Sequence, residues 1–203
     1  MIKTVIFDLG KTILPFDFSR GYRALEALCP YKAAEIPARI GTTDLVYKFE
    51  CGLVSPEDFV RQLSHILELR IDYGQFCEIW SSIFLPDPLI PEPMLAGLRK
   101  RYRLLLLSNT NAIHFTMVKE RYPLLAHFDD YVLSYEIKSM KPAPEIYREA
   151  IARAGCLPGE CFYTDDIAAY VEAAKNEGMD AVQFESCMQI QRELNARGIR
   201  WQN

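Results

Sequence analysis

No run of about 18 consecutive apolar residues occurs in the chain, so no membrane-spanning helix is expected. Basic clusters are missing too. The net charge is −4 with both signs well mixed, which leaves no electrostatic footprint for nucleic acid. The six cysteines (Cys29, Cys51, Cys77, Cys156, Cys161 and Cys187) form no C-x-x-C pair and stand at no zinc-finger spacing from a histidine. They read as free thiols of a reducing cytosol, and a cytoplasmic location is expected. Histidine is scarce, and His65, His114 and His127 stand apart from one another, each reading as structural or surface. The opening Met1–Asp8 segment is too short for a secretory signal core and has no cleavage site after it. There is no internal repeat and no low-complexity tract.

What is present is an ordinary globular composition, half apolar and a quarter charged, which excludes intrinsic disorder. Val5-Ile6-Phe7 reads as a buried strand, continuous in apolar residues as parallel strands are. Further runs are Arg103 to Leu107, Tyr131 to Leu133, Cys161 to Tyr163 and Ala181 to Phe184. Between the last four lie helical patterns over Ala112 to Arg121, Pro144 to Ala154 and Ala168 to Glu177, the last followed by Gly178 as a terminating residue. A final helix fits Cys187 to Ala196, with Ser186 as its N-cap and Gly198 beyond it. Alternation at this spacing implies right-handed βαβ units, hence an α/β fold with a Rossmann-like parallel sheet.

Residues 15–88 break the alternation. Helical patterns over Ser19 to Leu28, Tyr47 to Cys51, Pro56 to Leu67 and Tyr73 to Phe84 come with no convincing strand. Ser55-Pro56-Glu57-Asp58 is a strong helix start, with an N-cap hydroxyl, proline in the first turn and acids at the positive end of the dipole. This block reads as a small α-helical cap inserted after the first strand, with residues 1–14 and 89–203 as the α/β core. Pro86, Pro88, Pro91 and Pro93 mark its exit.

Open α/β sheets bind ligands at the carboxyl ends of their strands. There the sequence places Asp8, then Ser108 with Asn109, then Lys141 in the loop after the third strand, then Asp165 with Asp166. Each alone is an ordinary turn or cap. Together they are what phosphoryl transfer through a carboxylate nucleophile requires. A carboxylate can attack phosphorus, and a hard cation held by Asp8 and an acid on a neighbouring strand offsets the repulsion between the anions. Ser108 and adjacent amides can hold phosphate oxygens, and Lys141 supplies a point charge to phosphate and nucleophile.

Phe7-Asp8-Leu9-Gly10-Lys11-Thr12, Leu107-Ser108-Asn109, Lys141-Pro142-Ala143-Pro144-Glu145-Ile146-Tyr147 and Tyr163-Thr164-Asp165-Asp166 resemble, in order, the four motifs of the haloacid dehalogenase superfamily. The resemblance spans the chain and is nearest in look to bacterial sugar-phosphate phosphatases of the glucose-1-phosphate type and to the epoxide hydrolase phosphatase domain. Phe49-Glu50-Cys51-Gly52-Leu53-Val54-Ser55 in the cap shares that look. The resemblance implies a magnesium-dependent hydrolase of a small phosphorylated metabolite such as a sugar phosphate. It makes Asp8 the nucleophile and a metal ligand, the Gly10 carbonyl and Asp166 the other ligands, and Asp165 an acid behind them. Ser108, Asn109 and Lys141 would bind phosphate.

Two positions depart from the family pattern. Gly10 stands where most of its phosphatases carry a second aspartate as general acid and base, and Tyr170 stands where an Asn or Asp is frequent. General acid–base help is worth about 10²–10⁴ in rate. The sugar-phosphate subgroup shares Asp-Leu-Gly here, and Lys11 is an alternative source of a proton. Two other readings follow: a 2-haloacid dehalogenase, which would not need an Asp165-Asp166 metal site, and a catalytically weakened phosphate- or partner-binding module. The aromatic residues Phe16, Phe18, Tyr22, Tyr47, Phe49, Trp80 and Phe84 are expected mostly to pack the cap.

Overall fold

A computed structural model describes residues 1–202. In chain order the elements are β1 (Thr4–Phe7), α1 (Phe18–Glu26), α2 (Ile36–Ile40), α3 (Leu45–Glu50), α4 (Pro56–Ile66), α5 (Tyr73–Ser81) and α6 (Glu92–Arg99). There follow β2 (Arg103–Ser108), α7 (Ala112–Arg121), β3 (Asp130–Leu133), α8 (Ser134–Ile137), α9 (Pro144–Ala154), β4 (Cys161–Asp165), α10 (Ala168–Asn176), β5 (Asp180–Gln183) and α11 (Cys187–Ala196). The five strands form one parallel sheet in the order β3-β2-β1-β4-β5. The strand leading to Asp8 is therefore central.

Alternation along the strands feeds two cores. Val5, Phe7, Leu104, Leu106 and Phe162 face α6, α7 and α11, packing with Leu95, Val118 and Leu194. Ile6, Leu105, Leu107, Cys161 and Tyr163 face α9 and α10, packing with Ile146, Tyr147, Val171 and Ala174. Because both faces are covered, all four residues of β1 are buried. Each full burial of a large apolar side chain contributes roughly 1.5–3 kcal/mol.

Helices α1 to α5 bury a third cluster of their own, in which Phe59 stacks on Phe49 at 4.0 Å between ring centres and meets Phe76 and Trp80 edge-on. Two short chain segments join this layer to the sheet. Phe16 pairs antiparallel with Phe84, and Asp17, Leu85 and Leu89 donate backbone hydrogen bonds to Ile83, Pro15 and Ile13. That pairing explains why α5 stops at Ser81 rather than reaching Phe84: the backbone beyond it is committed to the returning segment.

Several caps form as the sequence implies. Ser55 accepts from the Asp58 N–H, Ser186 accepts from the Gln189 N–H, and Gly178 adopts φ 87° after α10. Three helices were not anticipated. In α6, Pro93 lies in the first turn, where a missing N–H costs nothing, so the prolines that marked the cap's exit also begin a helix. The other two, α2 and α8, are five and four residues long, too short for a periodic pattern to show.

Candidate active site

The polar residues at the carboxyl edge of the sheet are ordered by Lys141. Its Nζ, almost wholly buried, donates to Asp8 Oδ1 at 2.6 Å, to Asp165 Oδ2 at 2.6 Å and to the Leu107 carbonyl at 3.2 Å. Asp8 continues directly from β1, and its N–H is held by the Thr164 carbonyl of β4 at 3.0 Å. Asp165 ends β4 and is engaged on both oxygens. The Tyr163 hydroxyl and Lys141 donate to Oδ2, and the Ile167 N–H donates to Oδ1 at 2.8 Å.

The backbone of Lys141 is clamped from β2's loop. Asn109 accepts the Lys141 N–H on Oδ1 at 2.8 Å and donates Nδ2 to the Lys141 carbonyl at 3.0 Å, with the Tyr170 hydroxyl 3.4 Å from the same nitrogen. The sequence reading gives Asn109 a phosphate contact, but its side-chain amide is spent on positioning the lysine. The Ser108 hydroxyl, by contrast, has among the described residues only a long 3.4 Å contact with the Asn109 carbonyl and stays available.

Burial raises the Asp8 carboxyl to about 7, with Lys141 acting against the rise and Asp165 adding to it. Burial opposes the charge of Lys141, yet Asp8 and Asp165 outweigh it and hold the ammonium above its ordinary range. One cation thus serves two carboxylates, and a third acid lies beside them. Asp8, Asp165 and Asp166 each offer an oxygen, all within 4.8 Å of one another. Asp166 is raised by burial and then by Asp165, with Lys11, Lys141 and its own backbone N–H acting against the rise. Three acids against one lysine leave an excess of negative charge in a space that suits a hard cation with oxygen ligands. The Gly10 carbonyl accepts no hydrogen bond among the described residues and remains free to join them.

Packing crowds position 10. A Cβ there would meet the ring edge of half-buried Phe16 at 2.8 Å, so a side chain at this position would require that ring to shift. Lys11 is exposed, at φ 54°, with its ammonium 5.1 Å from the centre of the same ring. Tyr170 completes the wall, its ring centre 5.2 Å from Lys141 Nζ. Sequence reading singled out neither Tyr163, which secures Asp165, nor Ser134, whose hydroxyl takes the Thr110 N–H at 2.9 Å. Tyr163 lies inside a quoted motif, and that position was its one signal.

His114 is structural, as expected. Asn111 Nδ2 lies 3.1 Å from its Nδ1 and the Trp80 carbonyl 3.0 Å from its Nε2, which fits a neutral ring donating to that carbonyl. Burial drops its pKa to about 4.

A central parallel strand ending in a buried acid, with a lysine and two further acids around it, defines a class, the α/β phosphohydrolases. Residues 2–178 match the haloacid dehalogenase-like hydrolases, and the chain belongs to that family. It is 28% identical over 203 residues, 96% of this chain and 97% of the relative, to the D-ribitol-5-phosphate phosphatase of Bacteroides thetaiotaomicron. A crystal structure of a haloacid dehalogenase family enzyme from that organism, in complex with magnesium and inorganic phosphate, superposes with a TM-score of 0.83 at 27% identity, covering 92% of this chain and 96% of that one. The L-2-haloacid dehalogenase of Xanthobacter autotrophicus shares the fold alone, with a TM-score of 0.64 at 22% identity over 98% of this chain and 85% of its own. No helix among the described residues is long and apolar enough to cross a membrane.

Proposed function

We propose that this chain is a magnesium-dependent phosphatase of a small sugar- or polyol-phosphate, working through an aspartyl-phosphate on Asp8. The observation that carries the reading is the bridge of Lys141 between Asp8 and Asp165 with Asp166 alongside. It is supported by a relative named for ribitol 5-phosphate and by a similar structure that holds magnesium and phosphate. Asp8, Asp166 and the Gly10 carbonyl would hold the cation, which supplies charge neutralisation between carboxylate and phosphate. Lys141 aims Asp8 and holds phosphate, and Ser108 donates to a phosphate oxygen. Asp165 fixes the lysine and Asn109 its backbone.

In this reading residues 15–88 are the cap and residues 1–14 with 89–203 the core, and the enzyme works in the cytoplasm. The three clustered acids count against a dehalogenase, because displacement at a neutral carbon does not call for them. The Phe16-filled space at Gly10 favours, as a second reading, a weakened phosphate-binding module.

The test is a screen of phosphorylated metabolites with magnesium and with excess chelator, on the natural protein and on Asp8→Asn. Turnover of polyol or sugar phosphates only in the natural protein with magnesium is expected. Phosphate binding without turnover would select the weakened module.

A further inference from the structure

All three N–H donors of the Lys141 ammonium are taken up, by Asp8, Asp165 and the Leu107 carbonyl. To hold phosphate as well, the lysine must pass one of those donors to a phosphate oxygen. During that exchange its charge is best held by an attraction that uses no N–H, and the face of an aromatic ring supplies one. We infer that Tyr170 is a positioning residue for Lys141. Its ring steadies the ammonium while an N–H is handed to the phosphoryl group, and its hydroxyl holds the Asn109 clamp. This inference rests on the phosphatase reading above.

The two ends of the Tyr170 side chain meet the same lysine by different routes. The ring centre lies 5.2 Å from Nζ, inside the roughly 6 Å over which an ammonium is drawn to an aromatic face. The hydroxyl accepts from Asn109 Nδ2 at 3.4 Å. The same nitrogen donates to the Lys141 carbonyl at 3.0 Å, and Asn109 Oδ1 takes the Lys141 N–H at 2.8 Å. The Asn109 amide is therefore engaged on its oxygen and on both of its hydrogens, and Tyr170 is the partner that fixes it from the side away from the lysine backbone.

Tyr170 is itself held. It lies on α10, and its carbonyl accepts from the Tyr147 hydroxyl of α9 at 3.0 Å. Tyr147 meets Tyr163 edge-on, with 6.1 Å between ring centres, and the Tyr163 ring centre lies 6.0 Å from Lys141 Nζ. Two rings thus approach the ammonium, and Tyr147 touches both of the residues that carry them. Tyr163 is fully buried, with its hydroxyl on Asp165, and forms a fixed wall. Tyr170 is half-buried and is the more accessible of the two. Its ring adds attraction for the lysine without adding charge. An acid at this position would instead bring a fourth carboxylate to a site that already gathers three.

The experiment measures kcat and kcat/KM with magnesium on nitrophenyl phosphate and on alkyl phosphates. The proteins compared are the natural chain, Tyr170→Phe, Tyr170→Leu, Lys141→Met and the double variant Tyr170→Leu with Lys141→Met. Tyr170→Leu should lose about 3–30-fold in kcat. The loss should be equal on both ester classes, because the phosphoryl end is common to them and the leaving-group dependence is not touched. Tyr170→Phe keeps the ring and should recover most of that loss. In the Lys141→Met background Tyr170→Leu should cost less than about 2-fold, since the charge that the ring serves is gone. Should Lys141→Met fail to fold, the comparison of Tyr170→Phe with Tyr170→Leu decides alone.

Full activity in Tyr170→Leu, additive losses in the double variant, or Tyr170→Phe as slow as Tyr170→Leu would each overturn the role of Tyr170. A loss confined to alkyl esters or to KM would do the same, and each of these results leaves the phosphatase reading intact. Absence of magnesium-dependent turnover of every ester by the natural protein would overturn both. Circular dichroism and thermal unfolding check that each variant is folded.

Discussion

The sheet's carboxyl edge and the helical layer above it are built on opposite rules. At the edge, buried charges are cross-linked by bonds between distant parts of the chain: Lys141 to Asp8 spans 133 positions, and Asn109 to the Lys141 backbone spans 32. In the layer, stability comes from an aromatic cluster around Phe59, with Phe49, Phe76 and Trp80 packed against it. Buried charge tied to distant segments fixes the direction of a side chain, whereas apolar packing fixes the shape of a layer. The difference teaches a division of labour, with charge oriented at the sheet edge and shape set in the helical layer.

The comparison breaks most severely at the edge. Asp8→Asn should lower turnover by at least about 10⁴-fold while the protein stays folded, because shape is kept and the nucleophile is lost. Steady-state kinetics with unfolding curves check this. Lys141→Met leaves two buried carboxylates without their cation, so a loss of roughly 3–5 kcal/mol is expected in denaturant titration, with turnover down at least about 10²-fold.

The layer should respond in another currency. Phe59→Ala should cost about 3–5 kcal/mol by removing the centre of the aromatic cluster, yet leave the leaving-group dependence of the remaining folded protein unchanged. A change of slope in that variant would blur the division between the regions.

The smallest effect concerns His114, at the seam between them. Its folded pKa, about 4, lies below the unfolded 6.5, so the unfolded chain binds the proton more tightly. Its contribution is present above pH 6.5 and is lost as pH falls toward 4, at most about 3 kcal/mol. Unfolding free energies at pH 7 and pH 4.5 should differ less in His114→Asn than in the natural protein.

How much of this was legible in the sequence differs between the regions. The strands showed as apolar runs because both faces of the sheet are covered, and their order put Asp8, Ser108, Lys141 and Asp165 at one edge. The clamp from Asn109 to the Lys141 backbone was not legible, since a side chain's choice between ligand and neighbour depends on loop geometry. The segment around Glu50 was noted for its resemblance, but the seating of the Glu50 backbone against Ser134 and of Gly52 against Tyr135 was not legible. Nor did the sequence disclose that Phe16 fills the space beside Gly10. The simple repair Gly10→Asp would require that ring to move aside.

The central claim is that Asp8 carries phosphate covalently, and rapid-quench trapping with a substrate labelled in its phosphoryl group tests it most directly. With magnesium, the natural protein should yield a labelled species that is acid-stable and cleaved by hydroxylamine, mapped by peptide mass spectrometry to Asp8. It should be absent from Asp8→Asn and in excess chelator. Undiminished turnover by Asp8→Asn, or label mapped to any other residue, would contradict the account.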